Sequence, residues 1–370
     1  MNEALASHHP PKSLLVVRLG AMGDVIHTMH ALAWLRRALP DISVGWVIEE
    51  RWRELLCAQG TPRSGPRSPS RPLVDVLHFV NTKAWRKSPL SGETRRQFSS
   101  LLKEIREQHY DLAIDFQGAI KSALLASLSR TGTVFGMSRP RESIARMFYS
   151  ARVHTSGTHV IDQYGELAKA VFLRSRPGQM SRAPFVPENP LEFPRDPAAE
   201  ANISSRLNNT SGHVVLLNPG AGWGAKQWPA EGYGEVSREL QKQGANILVN
   251  YGPGEEQLAM DVHRWSAGAA QPMSCSLGQL IALTRRASLF IGGDTGPLHL
   301  AAALGVPVVA IFGPTDPARN GPYTPKSLVI RKPASRTSLS HTDASDPGIL
   351  EIHPHEVVSA AQQLLETTHA

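Results

Sequence analysis

The stretch Phe290–Pro317 reads FIGGDTGPLHLAAALGVPVVAIFGPTDP. An apolar run of strand length leads into a polar turn and a short helix of small residues, and a second apolar run ends in a second polar turn. Strand, helix and strand in this order predict a βαβ unit with parallel strands. The polar side chains of the two turns are Asp294, Thr295, His299, Thr315 and Asp316. Because ligands bind beyond the carboxyl ends of parallel strands, these turns predict a binding site.

Outside this unit, apolar runs of strand length alternate with segments of helical spacing along most of the chain. The predicted strands lie at residues 13–19, 45–51, 76–80, 112–115, 214–218, 246–252, 289–293 and 307–313. The predicted helices start at Asp24 and after Glu255, and lie near residues 51–57, 94–108, 118–128, 230–243 and 352–370. The alternation predicts an α/β fold of two Rossmann-like, doubly wound domains that face a cleft.

Two proline-rich stretches interrupt this alternation. Residues 177–197 predict a linker between a first domain at residues 1–176 and a second domain at residues 198–350. Residues 351–370 predict a closing helix at the end of the chain. Residues 61–72, TPRSGPRSPSRP, are basic and of low complexity, and they predict a mobile loop.

The chain has 370 residues and a formal net charge of +7, which is distributed unevenly. Residues 1–175 carry 24 Lys and Arg against 15 Asp and Glu, a net charge of +9. Residues 176–370 carry 15 against 17, a net charge of −2. The basic half predicts either a solubilising surface or an anionic partner, such as nucleic acid, phospholipid head groups or an acidic glycolipid.

The composition restricts the class of protein. Hydrophobic residues make up 41% and charged residues 19% of the chain, which is typical of a globular protein. The two cysteines, Cys57 and Cys275, argue against a disulfide scaffold and form no metal-binding pair. The first residues lack the pattern of a signal peptide, and no apolar run reaches the roughly 18 residues of a membrane span. We therefore expect a cytoplasmic protein.

Two acidic residues follow predicted strands of the first domain. LGAMGDVIHT, at residues 19–28, joins a strand to a helix through two glycines and matches neither the dinucleotide fingerprint nor the P-loop pattern. Asp24 in this stretch is either a helix cap or a general base at the cleft edge. Asp115, in DFQGAIKSA, is either a structural cap or a helper of Asp24.

Two motifs of the second domain suit a nucleotide. LNPGAGWGAKQWP, at residues 217–229, has three glycines, among them Gly222, whose backbone N–H groups can cradle a phosphate. Lys226 adds a positive charge there, although an ordinary loop with a surface lysine has the same pattern. In YGPGEEQLA, Glu255 and Glu256 either favour the start of a helix or accept hydrogen bonds from ribose hydroxyls.

The first turn of the opening stretch suits an anion. Thr295 and Gly296 begin a helix whose free N–H groups favour negative charge. His299, one turn further along, is either a phosphate contact or a packed helix residue. The carboxylate of Asp294 would repel a phosphate, so we expect it to order the loop or to bind a sugar hydroxyl.

In this order, the motifs MGDVIHT, DFQGAIKSA, NPGAGWGAKQWP, DTGPLH and FGPTDP resemble the ADP-heptose:lipopolysaccharide heptosyltransferases. The resemblance covers nearly the whole chain and implies the two-domain GT-B fold. It implies an inverting, metal-independent transfer of heptose from ADP-heptose to the Kdo and inner-core region of lipopolysaccharide. The implied enzyme needs no cofactor, binds no nucleic acid and works at the cytoplasmic face of the inner membrane.

The same resemblance implies roles for individual residues, with the acceptor in the first domain and the nucleotide sugar in the second. Asp24 would be the catalytic base, and Lys226 would act on the donor diphosphate. The implied donor-binding residues are Gly222, Lys226, Glu255 or Glu256, Asp294, Thr295, Gly296 and His299. The implied acceptor-binding residues are Arg86 and Lys87 beside Trp85, Lys121, Arg141 and His159. No metal ligand is implied.

The first half resembles heptosyltransferase I, whereas the loop PGAGWGAKQWP is more similar to that of heptosyltransferase II. Residues 61–72 look like an insertion relative to the family. Three alternatives remain at this point: another nucleotide-sugar transferase of the same fold, a nucleic-acid-binding protein and a non-catalytic nucleotide-binding regulator. A nucleic-acid binder would leave the DTGPLH turn without a role and lacks interleaved aromatic and basic residues.

Overall fold

The computed structural model describes residues 11–88, 91–176, 185–187, 189–208, 212–338 and 344–367, and these form two six-stranded parallel sheets. The strands of the first sheet are β1 (Ser13–Val17), β2 (Ser43–Glu49), β3 (Val76–Val80), β4 (Leu112–Asp115), β5 (Thr133–Met137) and β6 (Ala151–Val153). Those of the second are β7 (Val214–Asn218), β8 (Asn246–Tyr251), β9 (Ala270–Ser274), β10 (Leu289–Gly293), β11 (Val308–Phe312) and β12 (Ser327–Arg331). The orders are β3-β2-β1-β4-β5-β6 and β12-β11-β10-β7-β8-β9.

Helices connect the strands on both faces of each sheet. In the first domain they are α1 (Met22–Ala38), α2 (Thr82–Lys87), α3 (Gly92–Glu107), α4 (Ile120–Leu128) and α5 (Val160–Ser175). In the second they are α6 (Pro197–Leu207), α7 (Ala230–Lys242), α8 (Glu256–Trp265), α9 (Leu277–Thr284), α10 (Gly296–Ala303), α11 (Pro317–Asn320), α12 (Pro347–Leu350) and α13 (Pro354–Thr367). Short 3-10 helices occupy Glu50–Leu55, Ser143–Phe148 and Gly224–Lys226.

Both sheets reverse their strand order at the centre. The reversal lies between β1 and β4 in the first sheet and between β7 and β10 in the second. Ligands of doubly wound sheets bind at such a point, outside the carboxyl ends of the strands. Asp115 ends β4, and the segments that follow the other three strands carry Asp24, Lys226 and Asp294, so the topology places the predicted motifs at the two crevices.

The two domains share an apolar core. Every residue of α1 from Val25 to Arg36 is buried, as expected for a helix enclosed on all sides. α1 packs against α5 of its own domain and against α10 of the other. The resulting cluster runs from Leu14 in β1 to Phe290 in β10. Packed helices therefore lie at the base of the cleft. Apolar contacts between α1 and α10 join the two domains in addition to the linker.

Four predicted strands, at residues 76–80, 112–115, 214–218 and 289–293, are confirmed at both ends. The helix predicted near residues 51–57 is a 3-10 helix instead. Elements without a predicted counterpart are α2, β5, β6, α5, α6, β9, α9, α11, β12 and α12. The strands β6, β9 and β12 are edge strands of the two sheets. β6 and β12 contain no buried residue and β9 mixes buried with exposed ones, so their sequences lack the longer apolar run of a central strand.

Residues 61–72, predicted as a mobile loop, are mostly exposed but are held by a buried arginine. Arg71 is 2% exposed, and the loop wraps around its guanidinium. Arg71 donates hydrogen bonds to the carbonyls of Pro66 at 2.9 Å and Val74 at 3.2 Å. The basic residue that suggested an exposed loop is thus its internal support, since a buried guanidinium needs several acceptors.

Two predicted segments, the linker at residues 177–197 and the closing helix at residues 351–370, can be compared with the structure. Residues 177–184 and 188 of the predicted linker lie outside the described part of the chain, and Pro197, its last residue, begins α6. The predicted closing helix is α13, which packs with Val357 and Ala361 into the core of the second domain. Among the described residues, no helix combines the length and the apolar character needed to cross a membrane.

Candidate active site

The first turns of α1 and α10, one from each domain, touch each other. A methyl group on Gly23 would lie 2.7 Å from Cδ2 of His299, and one on Gly296 would lie 2.6 Å from Sδ of Met22. Distances this short leave no room for a larger residue at either position, so glycine permits the close approach. Because helix N-termini carry partial positive charge, their meeting favours a bound anion.

Asp24 is the third residue of α1 and not its cap, which is Ala21. Its carboxylate accepts a hydrogen bond from the Ala21 N–H at 3.2 Å and forms an ion pair with Arg18. The side chain of Asp24 is 39% exposed, whereas that of Arg18 is 5% exposed. Arg18 also donates to the carbonyl of Phe116 at 2.8 Å. Arg18 and the Ala21 N–H therefore fix the position of the Asp24 carboxylate, which stays accessible to solvent at the cleft edge.

Asp294 follows β10 and is almost buried, with a side chain that is 9% exposed. Its Oδ2 lies 2.5 Å from Nζ of Lys226, and its Oδ1 lies 3.2 Å from Nε2 of His299. Burial alone would raise the pKa of Asp294, but His299 and the Lys226 ammonium hold it well below its ordinary value. This carboxylate orders the loop, one of its two predicted roles; contact with a sugar hydroxyl stays a prediction.

Lys226 is not the isolated cation that the sequence suggests. It ends the 3-10 helix Gly224–Lys226, and its ammonium lies 4.5 Å from the ring centroid of Trp223. An ammonium has three N–H donors, and Asp294 accepts two hydrogen bonds from Lys226, one at its carboxylate and one, at 3.4 Å, at its backbone carbonyl. A diphosphate contact by Lys226 would therefore be made by a charge that Asp294 already neutralises.

The two adjacent glutamates differ in position. Glu255 is half-buried, and its Oε2 accepts a hydrogen bond from the Gly252 N–H at 2.8 Å. The same carboxylate leans over Gly220, where a methyl group would collide with it. Glu256 begins α8 and is exposed. The geometry favours Glu255 over Glu256 as a group that faces a nucleotide in the glycine loop.

Gly222, the glycine predicted to face a phosphate, is exposed, and a methyl group there would meet nothing within 4 Å. Glycine at position 220 therefore makes room for the Glu255 carboxylate in its present position, whereas position 222 has space for a larger residue. The backbone of Gly222 is accessible, and a phosphate contact by its N–H stays a prediction.

Asp115 is not available as a second base. It is fully buried, and its Oδ2 accepts hydrogen bonds from the Tyr149 hydroxyl at 2.7 Å and the Ser122 hydroxyl at 3.0 Å. Its Oδ1 accepts from the Gln117 N–H at 2.9 Å. Burial raises the pKa of Asp115 despite these donors. Of its two predicted roles, the structure supports the structural one.

Three of the predicted acceptor residues lie near one another. Lys121, in the first turn of α4, donates to the Thr82 hydroxyl at 3.3 Å. Burial lowers the pKa of Lys121, and the charges of Arg86 and Arg141 add to this effect, although Glu49 and Glu142 oppose it. We call Arg86, Lys121 and Arg141 the acceptor cluster. Cations that repel one another in this way favour an anionic ligand.

A cavity of about 300 Å³ adjoins this cluster. Trp85, Phe98 and Leu124 supply its apolar lining, and Arg86 and Lys121 also border it. Lys87 ends α2 as an exposed residue outside this lining. The cavity thus combines an apolar wall with two of the predicted acceptor cations.

His159 differs from its predicted role as an acceptor residue. It caps α5, where its Nδ1 accepts a hydrogen bond from the Ile161 N–H at 3.1 Å. Its Nε2 lies 3.0 Å from the carbonyl of Gly321 in the second domain. Burial lowers the pKa of His159. Both ring nitrogens are engaged, so the residue connects the domains in this conformation.

The remaining polar residues of the two turns, Thr295, Thr315 and Asp316, differ in their hydrogen bonds. Thr295 caps α10 only through its backbone, and its hydroxyl donates to the Gly293 carbonyl at 3.3 Å. Asp316 caps α11 by accepting from the Ala318 N–H at 2.9 Å. The Thr315 hydroxyl is buried and has no hydrogen-bond partner among the described residues. Within the described ranges, no group of three or more His, Cys, Asp or Glu side chains is placed to hold a metal ion.

Residues 98–347 match the model of glycosyltransferase family 9, the heptosyltransferases. The chain belongs to this family. Lipopolysaccharide heptosyltransferase 1 of Pseudomonas aeruginosa is 31% identical over 322 residues, which cover 84% of this chain and 81% of that protein. Membership confirms the predicted glycosyltransferase class.

Solved structures of the family have the same fold. The Escherichia coli heptosyltransferase WaaC with ADP has a TM-score of 0.73 and 25% identity, over 95% of this chain and 99% of that one. The same enzyme with ADP-2-deoxy-2-fluoro heptose has a TM-score of 0.70 and 25% identity, over 96% and 99% of the chains. The predicted GT-B fold is therefore confirmed.

Two residues of the site in this family 9 glycosyltransferase have no predicted role. One is Arg18, the partner of Asp24. The other is His27, which is 5% exposed and lies edge-on to His299 with ring centroids 4.3 Å apart. Neither ring nitrogen of His27 has a hydrogen-bond partner among the described residues. Burial and the neighbouring His299 lower the pKa of His27 well below its ordinary value.

Signals for both residues are present in the sequence. Arg18 is a charge inside the apolar run SLLVVRL, and His27 is the histidine of GDVIHT. A charged residue at the end of a buried strand indicates a buried partner, because an isolated charge there is costly. The partners cannot be read from spacing, since Phe116 follows the neighbouring strand β4 and Asp24 lies in the helix beyond the turn after β1.

Proposed function

We propose that this chain transfers heptose from ADP-heptose to the Kdo and inner-core region of lipopolysaccharide, with inversion at the anomeric carbon and without a metal ion. Family membership supports heptose transfer. The name of the Pseudomonas aeruginosa relative supports a lipopolysaccharide acceptor, and the ADP and ADP-sugar bound to the Escherichia coli relative support the donor. We also propose that the enzyme works at the cytoplasmic face of the inner membrane.

One observation carries the proposed chemistry. Of three carboxylates at the ends of the central strands, Asp115 is buried, Asp294 is almost buried, and both are engaged by neighbouring side chains, while Asp24 is 39% exposed. A general base must reach the proton that it removes. Arg18 and the Ala21 N–H orient the carboxylate of Asp24 at the meeting of the two helix ends. Asp24 is therefore the carboxylate that we assign as base.

The reaction then proceeds as a single displacement. Asp24 takes the proton of an acceptor hydroxyl as the hydroxyl oxygen attacks the anomeric carbon of the donor. The bond from that carbon to the diphosphate oxygen breaks, and ADP leaves with the bonding electrons. The Thr295–Gly296 helix end, Lys226 and His299 can stabilise the charge that develops on the diphosphate. Attack from the face opposite the leaving group gives inversion.

The acceptor enters from the first domain in this proposal. Kdo carries a carboxylate, and the acceptor cluster of Arg86, Lys121 and Arg141 offers matching positive charge. The cavity beside the cluster adds an apolar wall, where ring carbons of a sugar can pack. The donor enters from the second domain, where Glu255 faces the ribose side of the glycine loop.

The test is transfer by the purified chain. We expect ADP-heptose and Kdo-lipid A to give a heptosylated product by mass spectrometry, and NMR of that product to show the inverted anomer. Activity should survive EDTA. Transfer only to an acceptor that already bears one heptose would indicate a heptosyltransferase II-type reaction. Thermal stabilisation by a different nucleotide sugar, without any by ADP-heptose, would contradict the proposed donor.

A further inference from the structure

One face of the first domain exposes large apolar side chains close together. Ile144 is 55% exposed and Met147 is 74% exposed, and both lie in the 3-10 helix Ser143–Phe148. Ile120, 37% exposed, begins α4, against which this helix packs. Exposed apolar groups of this size are unremarkable singly, but a cluster marks an interaction site.

The geometry of the 3-10 helix explains why these residues share a face. With three residues per turn, side chains at positions i and i+3 lie above one another. Ala145 is buried and Phe148 packs against the same core cluster, so this pair faces inward. The pair Ile144 and Met147 is rotated by one position and faces outward. The end of the 3-10 helix is anchored, since the next residue after it, Tyr149, donates a hydrogen bond from its hydroxyl to Asp115 at 2.7 Å.

Basic residues surround the apolar pair. Arg139, Arg141 and Arg146 are all exposed. The nearby acid, Glu142, is turned back to the chain, where its Oε2 accepts a hydrogen bond from the Ile120 N–H at 2.8 Å. The surface therefore combines apolar side chains with an excess of positive charge. An anionic lipid surface has the complementary combination, with negative head groups above an apolar layer.

The position of this surface links it to the proposed acceptor site. A methyl group on Gly118 would lie 2.9 Å from the backbone nitrogen of Arg141, so the arginine loop lies against the loop that leads into α4. Lys121 of the acceptor cluster follows Ile120 directly in α4. An acceptor embedded in a lipid layer that contacts Ile120 would thus reach the cluster without leaving that layer.

We infer that this surface docks the enzyme onto an anionic membrane. We name it the Ile144 face. Its members are Ile120, Ile144 and Met147 as apolar contacts, with Arg139, Arg141 and Arg146 as contacts to lipid head groups. The use of the face in catalysis rests on the proposed function, whereas membrane binding itself does not.

Vesicle binding tests the inference without any substrate. The full chain should cosediment with vesicles of phosphatidylcholine and phosphatidylglycerol, and less with phosphatidylcholine alone. Ile144→Ser combined with Met147→Ser should lower the partition coefficient by about tenfold or more, because two apolar side chains lose their burial in lipid. Arg146→Gln should lower it by about fivefold, and only on the anionic vesicles.

A matched control is available in the second domain. Met260 and Leu350 are 47% and 54% exposed, so Met260→Ser combined with Leu350→Ser removes similar apolar area elsewhere. This control should bind vesicles like the unaltered protein. Equal losses in both double variants, no loss in either, or no vesicle binding by the unaltered chain would overturn the inference. A loss of self-association without any effect on vesicles would indicate a protein partner and would overturn it too.

A second measurement separates this inference from the proposed function. The Ile144→Ser and Met147→Ser double variant should transfer normally to a deacylated, water-soluble acceptor and slowly to the same acceptor embedded in vesicles. An equal loss on both acceptors would place these residues in the acceptor site or the fold, against the inference. If the unaltered protein binds anionic vesicles through this face but transfers heptose to neither acceptor, the proposed function fails and the docking surface stands.

Discussion

The starts of α1 and α10 are alike in local structure and opposite in surroundings. Each follows a central strand, each needs a glycine for its contact with the other domain, and each has a carboxylate paired with a cation. Asp24 is 39% exposed above the buried Arg18, whereas Asp294 is 9% exposed between Lys226 and His299. An ion pair with one exposed partner can receive a proton from a ligand, and a buried pair mainly holds its loop. The difference favours proton transfer at the start of α1, and donor binding by an ordered loop at the start of α10.

The largest effect should come from the exposed carboxylate. Asp24→Asn should lower turnover by about 10²–10⁴-fold, because an amide cannot take up the acceptor's proton. The dissociation constant of ADP, measured by calorimetry, should change little. Because the amide no longer neutralises the buried Arg18, we also expect a lower thermal midpoint, so turnover is measured well below it.

Asp261→Asn serves as the control for this substitution, since Asp261 forms an exposed pair with Arg264 at 3.2 Å. It should leave turnover unchanged. Near-normal turnover of Asp24→Asn would show that Asp24 is not the base, and the two helix starts would then not differ in catalytic role.

The buried pair should act on the donor instead. Lys226→Ala should raise the dissociation constant of ADP by about 10- to 100-fold, because hydrogen bonds to charged groups contribute about 1.5–3 kcal/mol. The acceptor KM should hardly change. Lys242→Ala, which removes an exposed pair with Glu239 at 2.7 Å, is the control.

A double-mutant cycle sharpens this prediction. The double variant with Lys226→Ala and Asp294→Asn should lose less stability than the sum of the losses in the two single variants, since either single change leaves a buried partner unmatched. Additive losses of stability, with an unchanged ADP affinity in every variant, would show that neither residue acts as proposed.

The stability of the packing between α1 and α10 should depend on pH. His27 stays neutral in the folded protein because its pKa is lowered, while the unfolded chain takes up a proton near pH 6.5. The stability is therefore fully present above about pH 6.5 and declines as the pH falls below it. The neighbours that affect this titration are His299, His159, His30 and Arg18. Denaturant midpoints at several pH values measure the decline.

His27→Phe should reduce this pH dependence, since phenylalanine keeps an aromatic ring in the same space and takes up no proton. His355→Phe is the control, because His355 is exposed and stacks on His353 far from His27 in the chain. The idea of a buried neutral histidine between the helix starts is abandoned if both variants keep the full dependence.

The smallest predicted effect is the dependence of the two KM values on salt concentration. Screening lengths fall from about 10 Å at 0.1 M salt to about 3 Å at 1 M, so exposed attractions weaken most. The acceptor KM should rise with salt more than the donor KM, because donor recognition uses the buried Lys226 and the helix end. Arg86→Ala combined with Lys87→Ala should flatten the acceptor's dependence. Equal salt slopes for both substrates would contradict the placement of the acceptor in the basic domain.

Much of the fold follows from local pattern. The central strands are predicted at or near their true ends because they are buried on both faces and read as unbroken apolar runs. Edge strands such as β12 and the short helices lack that signal, and the 3-10 helix at Glu50–Leu55 has the composition of an α-helix. The loop at residues 61–72 has the composition of a mobile segment, yet it closes around Arg71.

For the site, the sequence by itself determined which residue types stand at the ends of the central strands. Asp24, Asp115, Lys226 and Asp294 are recognisable there because polar groups after apolar runs are expected at the carboxyl edge of a parallel sheet. Their motifs also indicated the family. The distribution of roles among them is absent from the sequence, because position after a strand does not show which side chain is buried or which group it pairs with.

Only the tertiary structure decided those roles. Burial, ion pairing and hydrogen bonding depend on how separate elements pack. Tyr149 beside Asp115 and Lys226 against Asp294 come from distant parts of the chain, and Arg18, just after β1, meets Asp24 of the following helix. Packing of α1 on α10 also brought His27 beside His299, across more than 270 residues of chain. Spacing reports neighbours along one helix or strand, whereas exposure and charge pairing are set where separate elements meet.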